Sequence, residues 1–251
     1  MSRQQYSLTL DEFRALAAEG NLIPLYREIL ADYETPVSAF AKIDHGPTAY
    51  LLESVAGGEN WARYSFLGSG SSAVVREEKG DLVLTRGKKN LRIQSRGNPL
   101  ERLRELMEAY RPVTVPGLPR FVGGAVGYFS YDMVRTFEEL PALRRDSLGM
   151  PDFAFLLTDT LLIFDNVSQK IKVVANAYLE STKERDIRDA YRHATARIEK
   201  MIARLKRPLR QPRQKRRRKP ITFTSNMNKA DFEKMVTRTK EYIRSGDIVQ
   251  A

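Results

Sequence analysis

The sequence predicts an α+β fold, mostly antiparallel sheet with helices packed outside. Three observations carry this. Val74-Val75 and Leu82-Val83-Leu84 flank Lys79-Gly80-Asp81, a hairpin pattern. Phe153–Phe164 and Ile171–Ala175 form a second hairpin pattern around Asp165-Asn166-Val167-Ser168. Outside this strand-rich series runs a long helical stripe of Ile187, Tyr191, Ala194, Ile198, Ile202 and Leu205.

Taken in order, Thr9–Gly20 reads as a helix. Thr9 and Glu12 have capping-box spacing, Phe13 and Leu16 form the apolar face, and Gly20 is a stop. Leu22–Asp32 reads as a second short helical segment. Val37–Ile43 reads as a strand and Ala49–Leu52 as the next, with His45-Gly46-Pro47 turning between them. Leu91–Ile93 adds another strand. Asn98-Pro99 opens a helix with Leu103, Leu106, Met107 and Tyr110 on one side; proline at its first position forfeits no needed N–H. Residues 111–119 hold three prolines and read as a rigid loop.

Phe121–Tyr131 reads as a glycine-rich strand. No Lys-Ser/Thr helix start follows Gly123, Gly124 and Gly127, so close backbone packing or a bulge explains them better than phosphate binding. Thr182–Arg207 is the longest predicted helix, with Tyr191 and His193 as packing and surface residues. Ile221–Thr224 reads as a short strand. Asn228 caps a helix through Phe232, Met235, Val236, Tyr242 and Ile243, with Asp231 near its positive end and Gly246 as its stop. Asp247–Ala251 reads as the start of a strand.

Composition narrows the function classes. With no cysteine there is no disulfide or thiol chemistry, which is compatible with the cytoplasm. Two histidines, His45 and His193, are too few for a His/Cys metal site, leaving hard cations on carboxylates. No signal-peptide pattern opens the chain, and the most apolar stretch, Phe153–Phe164, is far below the roughly 20 residues that span a bilayer. The net charge of +11 is local. Ten basic residues and no acidic one lie between Arg204 and Lys219; without them 32 basic residues face 31 acidic ones. That proline-interrupted segment reads as a solvated linker. A nucleic-acid-binding module is the rival reading, and the segment lacks the interleaved aromatics that stack on bases.

One segment carries chemistry: Leu51-Leu52-Glu53-Ser54, then Gly57-Gly58, the single Trp61, and Ala62-Arg63-Tyr64-Ser65-Phe66-Leu67-Gly68. It reads as strand, glycine turn, strand, with a carboxylate and a hydroxyl at a strand end where a rigid scaffold can read a small polar ligand. A β-hairpin with an exposed end accounts for the spacing by itself. The wording adds more. LLES…GG…ARYSFLG resembles the N-terminal region of component I of anthranilate synthase. So do, in order, Pro24–Asp32, Thr35–Phe40, Gly123–Asp132 and Gly246–Gln250.

The resemblance covers nearly the whole chain, and it implies a fold of the component I N-terminal type. Leu52, Glu53 and Ser54, with Pro36 nearby, would contribute to a feedback pocket for L-tryptophan, and Phe121–Tyr131 would lie in the sheet beside it. Residues 1–207 would be an N-terminal regulatory, tryptophan-binding domain and 208–220 a basic linker. Residues 221–251 would be the first helix and strand of an incomplete chorismate-binding catalytic domain. In the family, chorismate binds with Mg2+. Ammonia from a glutamine amidotransferase partner, component II, adds to the ring, and pyruvate leaves to give anthranilate. The family's magnesium-binding glutamates and its acid and base groups lie downstream of the matching region. The chain is therefore expected to be a truncated component I, with no catalytic residue and no metal or cofactor of its own. Component I of aminodeoxychorismate synthase is the alternative enzyme; a stand-alone regulatory module is the alternative without chemistry.

Overall fold

The computed structural model describes residues 6–44, 46–53, 63–95, 98–140, 148–209 and 222–250. Contacts divide the chain into two compact units, Met1–Arg210 and Gln211–Ala251.

The first unit runs α1 (Leu10–Leu16), β1 (Leu22–Leu30), α2 (Pro36–Ile43), β2 (Ala49–Leu52), β3 (Tyr64–Ser69), β4 (Ala73–Glu78), β5 (Asp81–Arg86) and β6 (Lys89–Ile93). It continues with α3 (Pro99–Glu108), β7 (Gly124–Phe129), a 3-10 turn at Tyr131–Thr136, β8 (Phe153–Thr158), β9 (Thr160–Asp165), β10 (Lys170–Tyr178) and α4 (Glu184–Leu205). Among the described residues, the strands form two five-stranded sheets, ordered β1-β10-β9-β3-β2 and β6-β5-β4-β8-β7, and the pairings of these strands are antiparallel. This is the α+β architecture that the sequence predicts.

Local chemistry accounts for most boundaries. Thr9 Oγ1 accepts from the Glu12 amide at 3.3 Å, and Glu12 returns a carboxylate to the Thr9 amide at 2.7 Å, closing the capping box of α1. Asn98 Oδ1 accepts from the Leu100 and Glu101 amides at the start of α3. Lys79 and Gly80 both have positive φ, so β4 and β5 join through a two-residue turn whose twist suits the strands. The predicted stripe of α4 is buried at Ile187, Ala194, Ile198, Ile202 and Leu205. Tyr191 packs edge-on against Phe13 at 5.4 Å and donates to Leu8 O at 2.9 Å, while His193 is exposed.

Four readings are corrected. Leu22–Leu30 is a strand, paired along its whole length with β10. Its apolar spacing fits either period, and the long apolar β10 decides; Pro24 is tolerated because β1 is a sheet edge. Residues 37–43 belong to helix α2 rather than a strand. Thr35 caps it by accepting from the Ser38 amide, Pro36 occupies its first turn, and Ala39 and Ile43 are buried one turn apart. Phe153–Phe164 is two strands: β8 ends at Thr158 in the second sheet, and β9 starts at Thr160 in the first. The first hairpin partner of β10 is therefore β9 alone. Residues 222–225 and 247–250 form no strand, and no neighbour pairs with them among the described residues. Among the described residues, the regular structure of the second unit is α5 (Lys229–Ser245), capped by Asn228 and ended by Gly246 at φ 83°.

Gly127 confirms close backbone packing in β7, because a Cβ there would lie 1.9 Å from Ala154 O. The larger core fills the space between the first sheet and α1, α2 and α4 around Phe13, Leu25, Leu162 and Ile198. A second core joins the other sheet to α3 through Val75, Leu82, Phe153 and Leu103. The turn expected at 45–47 and the linker expected at 208–220 lie partly outside the described residues.

Candidate functional site

β2 is an edge strand, and it carries the candidate segment at its end. Side chains alternate along a strand. Leu51 packs into the helix-side core, which turns Leu52 to the opposite face of the sheet. Across that face the register aligns Leu52 with Phe66, Ile163, Lys172 and Glu28. Leu52 is 45% exposed. Beside it stand Tyr64 and Phe66, with ring centroids 6.3 Å apart, and Phe121 meets Phe66 edge-on at 5.2 Å. The result is an aromatic surface over the buried Leu161, Ile163 and Val174.

Charges frame this surface in compensated pairs. Arg63 lies 5.0 Å from the Tyr64 ring centroid and holds Asp165 bidentately, with Nε to Oδ1 at 3.2 Å and Nη2 to Oδ2 at 2.8 Å. The guanidinium draws the buried Asp165 carboxyl down to about 2. Lys170 and Lys172 each reach Glu28 at 2.6 Å and keep it below the usual carboxylate range. Lys172 also lies 5.4 Å from the Tyr26 ring centroid.

Glu53 follows β2, is exposed, and makes no hydrogen bond or ion pair among the described residues. Ser54 lies outside the described residues. Pro36 opens α2, which packs against β2 and β3 on the helix side of the sheet, so Pro36 and the Leu52 side chain belong to opposite sides. Sequence reading singled out Tyr64 and Phe66 with the motif. By resemblance Phe121–Tyr131 was expected in the sheet beside this site; β7 instead edges the second sheet, and Phe121, ahead of it, reaches Phe66 from 55 positions away. The arrangement suits binding: a ring can lie against the aromatic surface while polar groups at the strand end hold its head. Among the described residues no group of three or more His, Cys, Asp or Glu is placed to hold a metal ion. No helix among the described residues is long and apolar enough to cross a membrane.

Residues 48–251 match the family model for chorismate binding enzymes. Anthranilate synthase component 1 of Acetivibrio thermocellus is 37% identical over 96% of this chain and 49% of its own length. That of Pseudomonas aeruginosa is 38% identical over 96% and 49%. The crystal structure of anthranilate synthase component I from Streptococcus pneumoniae TIGR4 superposes with a TM-score of 0.54 at 26% identity, covering 87% of this chain and 46% of that one. The chain thus spans about half the length of the relatives it matches. It belongs to the chorismate-binding enzyme family.

Proposed function

We propose that this chain supplies the tryptophan-sensing, N-terminal part of an anthranilate synthase component I in the cytoplasm. The observation that carries the reading is the similarity to component 1 proteins over 96% of the chain, with Leu52-Glu53 standing at an open strand end. The indole of L-tryptophan lies against Leu52, Tyr64 and Phe66. Its ammonium meets Glu53, and its carboxylate meets Ser54 and backbone groups at the strand end. The relatives' names weigh for the anthranilate branch over the aminodeoxychorismate branch.

Chorismate, Mg2+, ammonia and the amidotransferase partner then belong to the assembled enzyme, whose reacting groups on this reading come from the other half of component I. Given chorismate, Mg2+ and ammonium, the purified 251-residue chain should form no anthranilate. Anthranilate fluorescence rising with chain concentration would overturn that part of the proposal.

A further inference from the structure

Four buried side-chain polar atoms lack a hydrogen-bond partner among the described residues: Tyr50 Oη, Thr158 Oγ1, Thr160 Oγ1 and Arg197 Nε. Their elements meet at one end of the first sheet. Tyr50 pairs with Gly68, which pairs with Leu161, while Thr160 pairs with Ala175. Thr158 closes β8 just before that point. Arg197 Nη2 donates to Asn176 O at 2.6 Å. This end is opposite the Leu52–Phe66 row. Of the four, Thr158 and Arg197 line a cavity at this end, and Tyr50 and Thr160 do not; buried polar groups in folded proteins are nearly always paired, so the two in the lining can each take a ligand group.

A cavity of about 330 Å³ opens there. Thr158, Asn176 and Arg197 line it with the apolar Leu22, Met107 and Leu157. The Asn176 backbone amide donates to Asp159 O and its Nδ2 to Val122 O, both at 2.7 Å. Gly123 keeps this place clear, since a Cβ there would stand 2.3 Å from Asn176 Nδ2. Asn176 O therefore anchors one side of the Arg197 guanidinium while Nε–H stays unused. The Thr158 hydroxyl influences the Tyr50 phenol, which burial pushes up to about 12, yet it lies outside hydrogen-bonding geometry with it.

The lining is cationic. Arg197 and Arg86 make no ion pair among the described residues, and Asp159 is the single acidic residue of the lining. An unpaired guanidinium beside apolar walls favours an anion, and charge-assisted hydrogen bonds are the strongest available to it. The volume sits at the small end of ligand pockets, enough for one ring. We propose that this cavity binds a small monocarboxylate with a ring-sized apolar body, the carboxylate on Arg197 and Thr158 and the body against Leu22, Met107 and Leu157. The site is separate from the Leu52–Glu53 strand end and does not depend on the reading given to it.

Benzoate is the probe and benzamide its neutral counterpart of the same shape, each titrated into the full 251-residue chain and followed by 1H–15N NMR. Benzoate should saturate with one dissociation constant, and benzamide should bind at least about tenfold more weakly, the loss of a hydrogen bond to a charged group. Arg197→Gln should weaken benzoate about tenfold and Thr158→Val severalfold, while Glu53→Ala leaves it unchanged. Absence of saturation, equal affinity for benzamide, or an unchanged constant in both cavity variants would each overturn the proposal. Should Arg197→Gln fail to fold, Thr158→Val and the benzamide comparison decide.

Discussion

Leu162→Ala should remove about 3–5 kcal/mol of stability, the range for truncating a leucine where the surroundings cannot collapse. Leu162 sits on β9, the central strand of the first sheet. Its cross-strand neighbours are Leu67 and Val173, and all three are fully buried. Strands flank the site on both sides and α4 covers it through β10, so the void stays open. A loss of this size is a large part of the 5–15 kcal/mol typical of a domain. Leu91→Ala, on the edge strand β6 and 58% exposed, should change stability by less than about 0.5 kcal/mol. Urea unfolding of both variants checks the contrast; equal losses would mean that the first sheet is not the core of this unit.

Asp165→Ala should cost about 2–3 kcal/mol at neutral pH, because it strips partners from several donors at once. The carboxylate accepts from Arg63 and from the Val167 and Ser168 amides, at 3.1 and 3.2 Å, so it fixes both the β3 entry and the β9–β10 turn. The acid limb gives a second signature. Asp165 is held at about 2, below its ordinary 3.8. A depressed carboxyl stabilises the fold above its unfolded pKa, and that contribution drains away as pH falls toward 2. Arg63 is 46% exposed, which lets solvent soften the pair, so the share lost between about pH 4 and 2 is about 1–2 kcal/mol. Glu28 shifts in the same direction and adds to the limb. Asp165→Ala should therefore show a shallower loss of stability on acidification than the unaltered chain. Identical slopes would remove Asp165 as a source.

Where the chain carried its own punctuation, its elements were legible. Thr9 with Glu12, Asn98-Pro99, Lys79-Gly80, Asn228 and Gly246 all act within a few residues, and each marks a real boundary. The failures share one cause, that the deciding partner is distant. Leu22–Leu30 becomes a strand because β10, some 150 positions on, pairs with it. The break at Asp159 exists because two different sheets claim Phe153–Thr158 and Thr160–Asp165. At 36–43 the signal was present, since Thr35-Pro36 with Ser38 is a helix start, and the β-branched Val37 obscured it. The strand end with Leu52 and Glu53 was legible, as were its aromatic neighbours Tyr64 and Phe66. The edge-on contact of Phe121 with Phe66 and the cavity around Arg197 were not, because each assembles side chains from separate elements without a shared local pattern.

The tryptophan reading meets its most direct test in a calorimetric titration of the 251-residue chain with L-tryptophan, alongside Glu53→Ala and Ser54→Ala. Saturable binding is expected, weaker than that of an intact component I because part of the contact surface belongs to the other half, and weakened about tenfold further by either substitution. No saturable binding, affinity equal to the intact enzyme's, or affinity untouched by both substitutions would contradict it.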